Sequence, residues 1–185
     1  GKLKALYIMG ENLVVNYPNG KKIKEACKKV DFIVVQDTFL TETAQLADVV
    51  LPAATFAEKE GTFTNMGMTV QRLNKAIKPV GDAKPDWQII CSLSQKMGHA
   101  CSYVSTKEIL TEMESISPVY AGINYDRLRR KEFHWASSVY NKNKTAKYTF
   151  SMVKPKSSEI RKIKDFPFVL LTGASLNHQG TFSRH

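Results

Sequence analysis

Phe32-Ile33-Val34-Val35-Gln36-Asp37, then Thr41-Glu42-Thr43-Ala44, Ala47-Asp48-Val49-Val50-Leu51-Pro52, Glu58-Lys59-Glu60-Gly61-Thr62-Phe63-Thr64-Asn65 and Gln71-Arg72 form the stretch that decides the fold. It reads as two buried strands, 32–35 and 49–51, whose C-terminal ends each open into a polar loop. In an α/β sheet that is the edge where a nucleotide-like ligand sits. Between the strands, residues 41–46 suit a short helix with Thr41 as N-cap and Glu42 in its first turn, and Pro52 stops the second strand.

Upstream, Ala5-Leu6-Tyr7-Ile8-Met9 is a further apolar run closed by Gly10-Glu11-Asn12. Residues 22–29 follow with helical spacing, Ile23, Ala26 and Cys27 on one face and lysines on the other. Strand, helix, strand, helix, strand with near-continuous apolar strands predicts a parallel sheet covered on both faces, an α/β, Rossmann-like three-layer arrangement. Downstream, residues 85–97 predict a helix burying Trp87, Ile90, Cys91 and Leu93-Ser94, with Gly98 as its stop. Residues 106–115 predict another, capped by Ser105 or Thr106, with Ile109, Leu110 and Met113 inward. Met66 and Met68 read as core filler.

From Asn141 the chain turns hydrophilic. Residues 141–164 hold eight Lys or Arg against Glu159 alone, which accounts for most of the net charge of +10. A basic stretch with few aromatics is a solvated connector, and no nucleic-acid partner is expected from it. Residues 166–171 then predict a new buried strand, ending in a polar loop from Thr172 to Ser183. Such a strand has little left to pack against, so the expectation is a truncated polypeptide from which a further domain continued. The start at Gly1 without Met likewise reads as a processed or excised piece.

The 185 residues, 43% of them hydrophobic, can bury one α/β domain of roughly 130–150 residues with an appendage. No run approaches the roughly 18 apolar residues of a membrane span, and no signal-peptide profile opens the chain. Cys27, Cys91 and Cys101 have neither Cys-x-x-Cys spacing nor an even count, so they read as reduced, mostly buried thiols in a cytoplasmic setting.

Gly10-Glu11-Asn12, Gln36-Asp37 and residues 53–65 would share one edge of the sheet. Asp37 can accept the N1–H and exocyclic amine of a guanine, or ribose hydroxyls. Thr41 and the free amides of its helix could hold a phosphate, Lys59 could pair with a pyrophosphate, and Gly61 would admit the backbone closely. Each has a plainer reading beside it. Asp37 after a strand is often only a turn residue, Asp48 orders its own loop, and His99 and His134 are structural or surface histidines. His178, in a Gly-bounded loop with Ser175, Asn177 and Thr181, is a contact candidate. No Gly-x-Gly-x-x-Gly follows the first strand and no His, Cys or carboxylate set is arranged for catalysis, so no catalytic residue is assigned.

Taken in order, Val-Val-Gln-Asp-x-Phe-x-Thr-x-Thr-Ala, Ala-Asp-Val-Val-Leu-Pro and Glu-x-Glu-Gly-x-Phe-Thr across residues 34–64 resemble the molybdopterin-guanine-dinucleotide oxidoreductases. Within them the likeness is nearest to the catalytic subunits of formate dehydrogenases. Asp86-Trp87-Gln88-Ile89-Ile90, Tyr120-Ala121-Gly122-Ile123-Asn124-Tyr125 and Leu171-Thr172-Gly173 extend it. Periplasmic nitrate reductases and the large iron–sulfur subunit of respiratory complex I share much of this pattern.

The resemblance implies molybdenum or tungsten held between two molybdopterin guanine dinucleotides, and a 4Fe-4S cluster whose ligands lie upstream of this segment in relatives. Residues 1–136 would be the later Rossmann-like cofactor domain, 137–165 a basic linker, and 166–185 the start of a C-terminal β-barrel domain. Gln36 and Asp37 would contact one guanosine end, Lys59 its phosphate side and Asp86 the guanine edge. Gly10, Glu11 and Asn12 match a cofactor-edge loop. Thr172, Gly173, Ala174, Ser175, His178, Thr181 and Ser183 would belong to a barrel loop reaching the pterin. Implied partners are the rest of the catalytic subunit, electron-transfer iron–sulfur or diaphorase subunits, and formate as substrate; the fragment alone is not expected to be active.

Two departures stand out. Where many relatives continue Asn-x-Glu-x-Arg-x-Gln, this chain has Asn65-Met66-Gly67-Met68-Thr69-Val70-Gln71, and Ala174 stands where many place Arg. The rival readings are a non-catalytic complex I-type subunit, which metal and pterin content would separate, and a free-standing guanine-nucleotide module.

Overall fold

A computed structural model describes residues 2–65, 67–129, 133–134, 152, 168 and 170. The chain divides into two compact units, Gly1–Thr145 and Ala146–His185. All the secondary structure described lies in the first.

Three strands, β1 (Ala5–Met9), β2 (Phe32–Asp37) and β3 (Val49–Pro52), form a parallel sheet in the order β1-β2-β3. The register pairs Met9 with Gln36 and Asp37 with Pro52, so all three chains leave the sheet at the same edge. A single parallel bridge from Ala53 to Lys84 carries that edge one position further. The crossover from β1 to β2 runs through helices α1 (Leu13–Asn16) and α2 (Gly20–Cys27), the latter capped by the Asn19 side chain accepting from Lys22 N–H at 3.2 Å.

Period-two alternation gives this sheet two unlike faces. Ile8, Ile33 and Val35 point to one side, where they bury against Cys27 and Ala44, with Ile23, Leu13 and Leu46 closing the cluster. On the other side Tyr7 is 41% and Met9 50% exposed while Gln36 is fully buried, so among the described residues that face is covered only in part. Asp48 reaches back along the sheet, accepting from Ile33 N–H at 2.7 Å, which is the loop-ordering role read from the sequence.

The residues 61–64 were expected within a polar loop; they are strand β4 (Gly61–Thr64), paired antiparallel with β5 (Thr69–Leu73), which pairs with β6 (Phe133–His134). Thr62, Phe63 and Thr64 are polar or aromatic yet strongly strand-favouring, so polarity alone misread them. The hairpin turns at Asn65, whose side chain accepts from Thr69 N–H at 3.0 Å. Met68 sits there at φ 62 and is 45% exposed, so it is a turn residue rather than core filler; Met66 lies outside the described residues.

This second sheet has its own core of Val70, Leu110, Ile123, Tyr125 and Leu128. Leu110 comes from α4 (Thr106–Ile116), which Ser105 caps through Glu108 N–H at 3.4 Å. Helix α3 (Asp86–Lys96) forms where expected and buries Cys91 as expected, but it buries Ile89 in place of Ile90 and leaves Leu93 exposed. The bridge at Lys84 fixes where the helix starts, and that tertiary anchor overrides the apolar pattern.

Residues 41–46 form only a one-turn 3-10 helix, Ala44–Leu46. Of the predicted strand 166–171, Phe168 and Leu170 are described, and both are exposed and outside any strand. An apolar strand needs partner strands, and none pairs with either among the described residues. The basic segment is undescribed apart from Met152, and residues 172–183 lie wholly outside the described residues.

Candidate functional site

The C-terminal edge of the parallel sheet gathers polar side chains from four segments. On the face opposite the packed core, Gln36, the penultimate residue of β2, is fully buried, and its amide nitrogen donates to Asp86 Oδ1 at 2.7 Å. Lys59, from the loop after β3, donates to Asp86 Oδ2 in a partly buried ion pair. The Tyr7 hydroxyl donates to the Gln36 side-chain carbonyl. Burial and then the Asp86 carboxylate hold the Tyr7 hydroxyl above its ordinary pKa, so it stays a donor.

Each residue arrives there for a local reason. Gln36 shares a strand face with Val34, and Tyr7 shares one with Met9, its partner in the register beside Gln36. Asp86 is the first residue of α3, where a carboxylate faces the positive helix end. Lys59 follows the 3-10 turn Phe56–Glu58, which is closed by a reciprocal capping box between Thr55 and Glu58. Glu58 is buried, and its carboxylate accepts Thr55 N–H at 2.9 Å and Val80 N–H at 3.1 Å, tying the loop to the returning chain.

Asp37 lies one residue past Gln36 and so faces the other side of the strand. Its Oδ1 accepts Thr38 N–H at 2.7 Å and Phe39 N–H at 3.3 Å, as the turn reading expected. The described contacts leave its Oδ2 open at the edge. Phe39, Leu40 and Phe56 leave the same edge strongly exposed.

Gly10 turns the chain out of β1 at φ 62, with its N–H donated to Gln36 O at 2.9 Å. Glu11 accepts from the Asn16 side chain on the surface. Asn12 is buried and spends both polar ends internally, donating to Glu42 at 2.7 Å and accepting from the Thr43 hydroxyl at 2.8 Å. Thr41 Oγ1 accepts Ala44 N–H at 3.2 Å, so the amide expected to be free for a phosphate is engaged, and a single 3-10 turn has little dipole to offer.

Gln36, Lys59 and Asp86 are thus one hydrogen-bonded group, with Asp37 beside it on the opposite face of the strand. Tyr7 was missed in the sequence. Its signal was there, a tyrosine alternating onto the face of Gln36, but only the register makes the contact visible.

The sequence model of the molybdopterin oxidoreductase family matches residues 1–96, just over half of the 185. The chain belongs to the molybdopterin oxidoreductase family. It is 42% identical to the F420-dependent formate dehydrogenase subunit alpha of Methanocaldococcus jannaschii, over 98% of this chain and 29% of that protein. It is 39% identical to the F420-dependent formate dehydrogenase 2 subunit alpha of Methanococcus maripaludis, over 99% of this chain and again 29% of that protein. Acetylene hydratase from Pelobacter acetylenicus shares the fold, with a TM-score of 0.58 at 24% identity, over 71% of this chain and 18% of the hydratase. The chain therefore spans under a third of the length of these relatives.

Membership of this family implies a pterin cofactor carrying molybdenum or tungsten. The donor set fits the polar end of such a group. Two carboxylates, an ammonium with two N–H left to give and a glycine turn with open space at its Cα meet at one sheet edge. Among the described residues no group of three or more His, Cys, Asp and Glu could hold a metal ion. No described helix is long and apolar enough to cross a membrane.

Proposed function

We propose that this chain is a cofactor-gripping segment of a formate-dehydrogenase-like enzyme that oxidises formate to carbon dioxide. The observation that carries the reading is the joining of Gln36, Lys59 and Asp86 into one partly buried network at the C-terminal edge of a parallel sheet. The likeness to two formate dehydrogenase alpha subunits over nearly the whole chain supports formate as the substrate.

In this reading the cofactor is a bis molybdopterin guanine dinucleotide, and the two electrons leaving formate are its chemistry when bound. The chain's own residues position it. Asp37 Oδ2 accepts from the guanosine end, and Asp86 presents its remaining lone pairs to the guanine edge. Lys59, held by Asp86, turns its other N–H groups to the phosphates. Gln36, braced by Tyr7, fixes the Asp86 carboxylate. Gly10 and Glu11 border the same group, while Asn12 and Thr41 hold the loops that present it.

Thr172, Gly173, Ala174, Ser175, His178, Thr181 and Ser183 would approach the pterin from a barrel domain beginning at 166, after a basic linker over 137–165. The rest of the catalytic subunit, with its 4Fe-4S cluster, covers the exposed sheet face at Tyr7 and Met9. Iron–sulfur or diaphorase subunits receive the electrons. Three free thiols fit a reducing, cytoplasmic setting.

The test is Asp86→Ala in the full catalytic subunit. Cofactor occupancy, measured as metal and pterin per polypeptide, falls several-fold, while turnover per bound metal changes little. Unchanged occupancy would remove Asp86 from the grip.

A further inference from the structure

Cys91 and Cys101 are far from the parallel-sheet edge in role and ten residues apart in sequence, a spacing that suggested no pairing. The structure brings Cys101 Sγ within 3.0 Å of Cys91 Sγ, both as free thiols. The chain does this by stopping α3 abruptly. Gly98 adopts φ 84 after the last turn, His99 N–H donates back to Ser94 O at 3.0 Å, and the Gln95 side chain donates to Cys101 O at 2.7 Å. The backbone of residue 101 is thereby pinned beside the helix that carries Cys91.

The pair is also reachable. Cys91 and Cys101 line an open groove of about 410 Å³ with Trp87, Gln95 and Tyr103. Cys27, the third thiol, is buried under the parallel sheet in a different cluster.

We propose that Cys91 and Cys101 form a reversible dithiol–disulfide site that reacts with low-molecular-weight disulfides of the glutathione class. A covalent S–S bond needs a closure of about 1 Å from the present separation, which side-chain rotation supplies. In the first exchange the Cys101 thiolate, the more exposed of the two, attacks one sulfur of the small disulfide and displaces one thiolate. In the second, the Cys91 thiolate attacks Cys101 Sγ in the mixed disulfide and expels the other. The two protein thiols lose two electrons and two protons, and one small disulfide becomes two thiols.

The hydrogen bond to Cys91, burial, and the charges of Cys91 and Glu112 hold the Cys101 thiol above its ordinary pKa. The first exchange is therefore slow at neutral pH and quickens as pH rises. The bond would fasten the segment after α3 to the helix whose first residue is Asp86.

The experiment incubates the full protein with oxidised glutathione, alkylates the remaining thiols and maps peptides by mass. The expected result is a peptide pair joined through Cys91 and Cys101 with two hydrogens lost, Cys27 alkylated throughout, and full reversal by dithiothreitol. In Cys91→Ser the glutathione adduct on Cys101 persists, at about tenfold or more the level in the unaltered protein, because the resolving thiol is gone. Separate alkylation of both cysteines, or a stable glutathione adduct on Cys101 in the unaltered protein, overturns the proposal. The cross-link is read in the unaltered chain, so the result stands even if the variant folds poorly.

Discussion

Two polar groups lie at the same sheet edge and are built in opposite ways. The loops after β1 and β2 are locked by Asn12, Thr43 and Glu42, with the Thr43 hydroxyl also accepting Val14 N–H at 3.1 Å. The loop after β3 is locked in the same manner by buried Glu58. Asn12, Thr43 and Glu58 are buried and direct their hydrogen bonds to the loops themselves. Gln36, Lys59 and Asp86 are equally well connected, yet their carboxylate and ammonium are partly open and keep unused hydrogen-bonding directions. A residue near a candidate site supports the scaffold when its capacity is spent, and binds when some is left over.

That distinction can be broken by measurement. Glu58→Ala is the harshest test of the scaffold side, since it leaves the Thr55 and Val80 amides without their acceptor and costs about 3 kcal/mol. It should show as a lower midpoint in denaturant titration, with the m-value unchanged. Asn12→Ala follows, at about 2 kcal/mol, because the Thr43 hydroxyl and Glu42 each lose a buried or half-buried partner. Cofactor per folded molecule should be unaffected by it. Asp86→Ala inverts the pattern: breaking a partly exposed ion pair and leaving the buried Gln36 amide without its acceptor costs about 2 kcal/mol together, while occupancy suffers most. Were Asn12→Ala to empty the cofactor and Asp86→Ala to unfold the protein, the division between scaffold and grip would be reversed.

The legibility of these parts in the sequence follows their physics. Strands β1, β2 and β3 were readable as short apolar runs bounded by turn residues, and helices α2, α3 and α4 because burial of one face writes a period into the chain. The hairpin Gly61–Leu73 was not, because its threonines satisfy strand geometry without an apolar signature. Lys59 could be picked out from its polar loop, Asp86 only by resemblance; that they pair with each other, 27 residues apart, depends on where Lys84 bridges the sheet. Tyr7 and the thiol pair were invisible for the same reason, since tertiary placement and not local pattern brings their partners.

The smallest effect lies away from the edge, on Tyr103, and sharpens the contrast from the other side. Its hydroxyl donates to the Glu112 carboxylate, and that hydrogen bond, helped by burial and the charge of Glu112, pushes its pKa up to about 12 from the ordinary 10.0. The neutral phenol is the form the fold favours. The contribution is therefore complete below about pH 10, the unfolded value, and is lost as pH climbs through the folded value near 12. Glu112→Gln should move the tyrosinate absorbance titration of this residue back toward 10.0 and flatten the alkaline decline in melting temperature expected of the unaltered protein. Tyr103→Phe should remove the same decline, since no proton is left to lose. A decline that survives both substitutions would assign the alkaline sensitivity to another group, Tyr7 first, whose hydroxyl is raised by burial and by Asp86 at the edge itself.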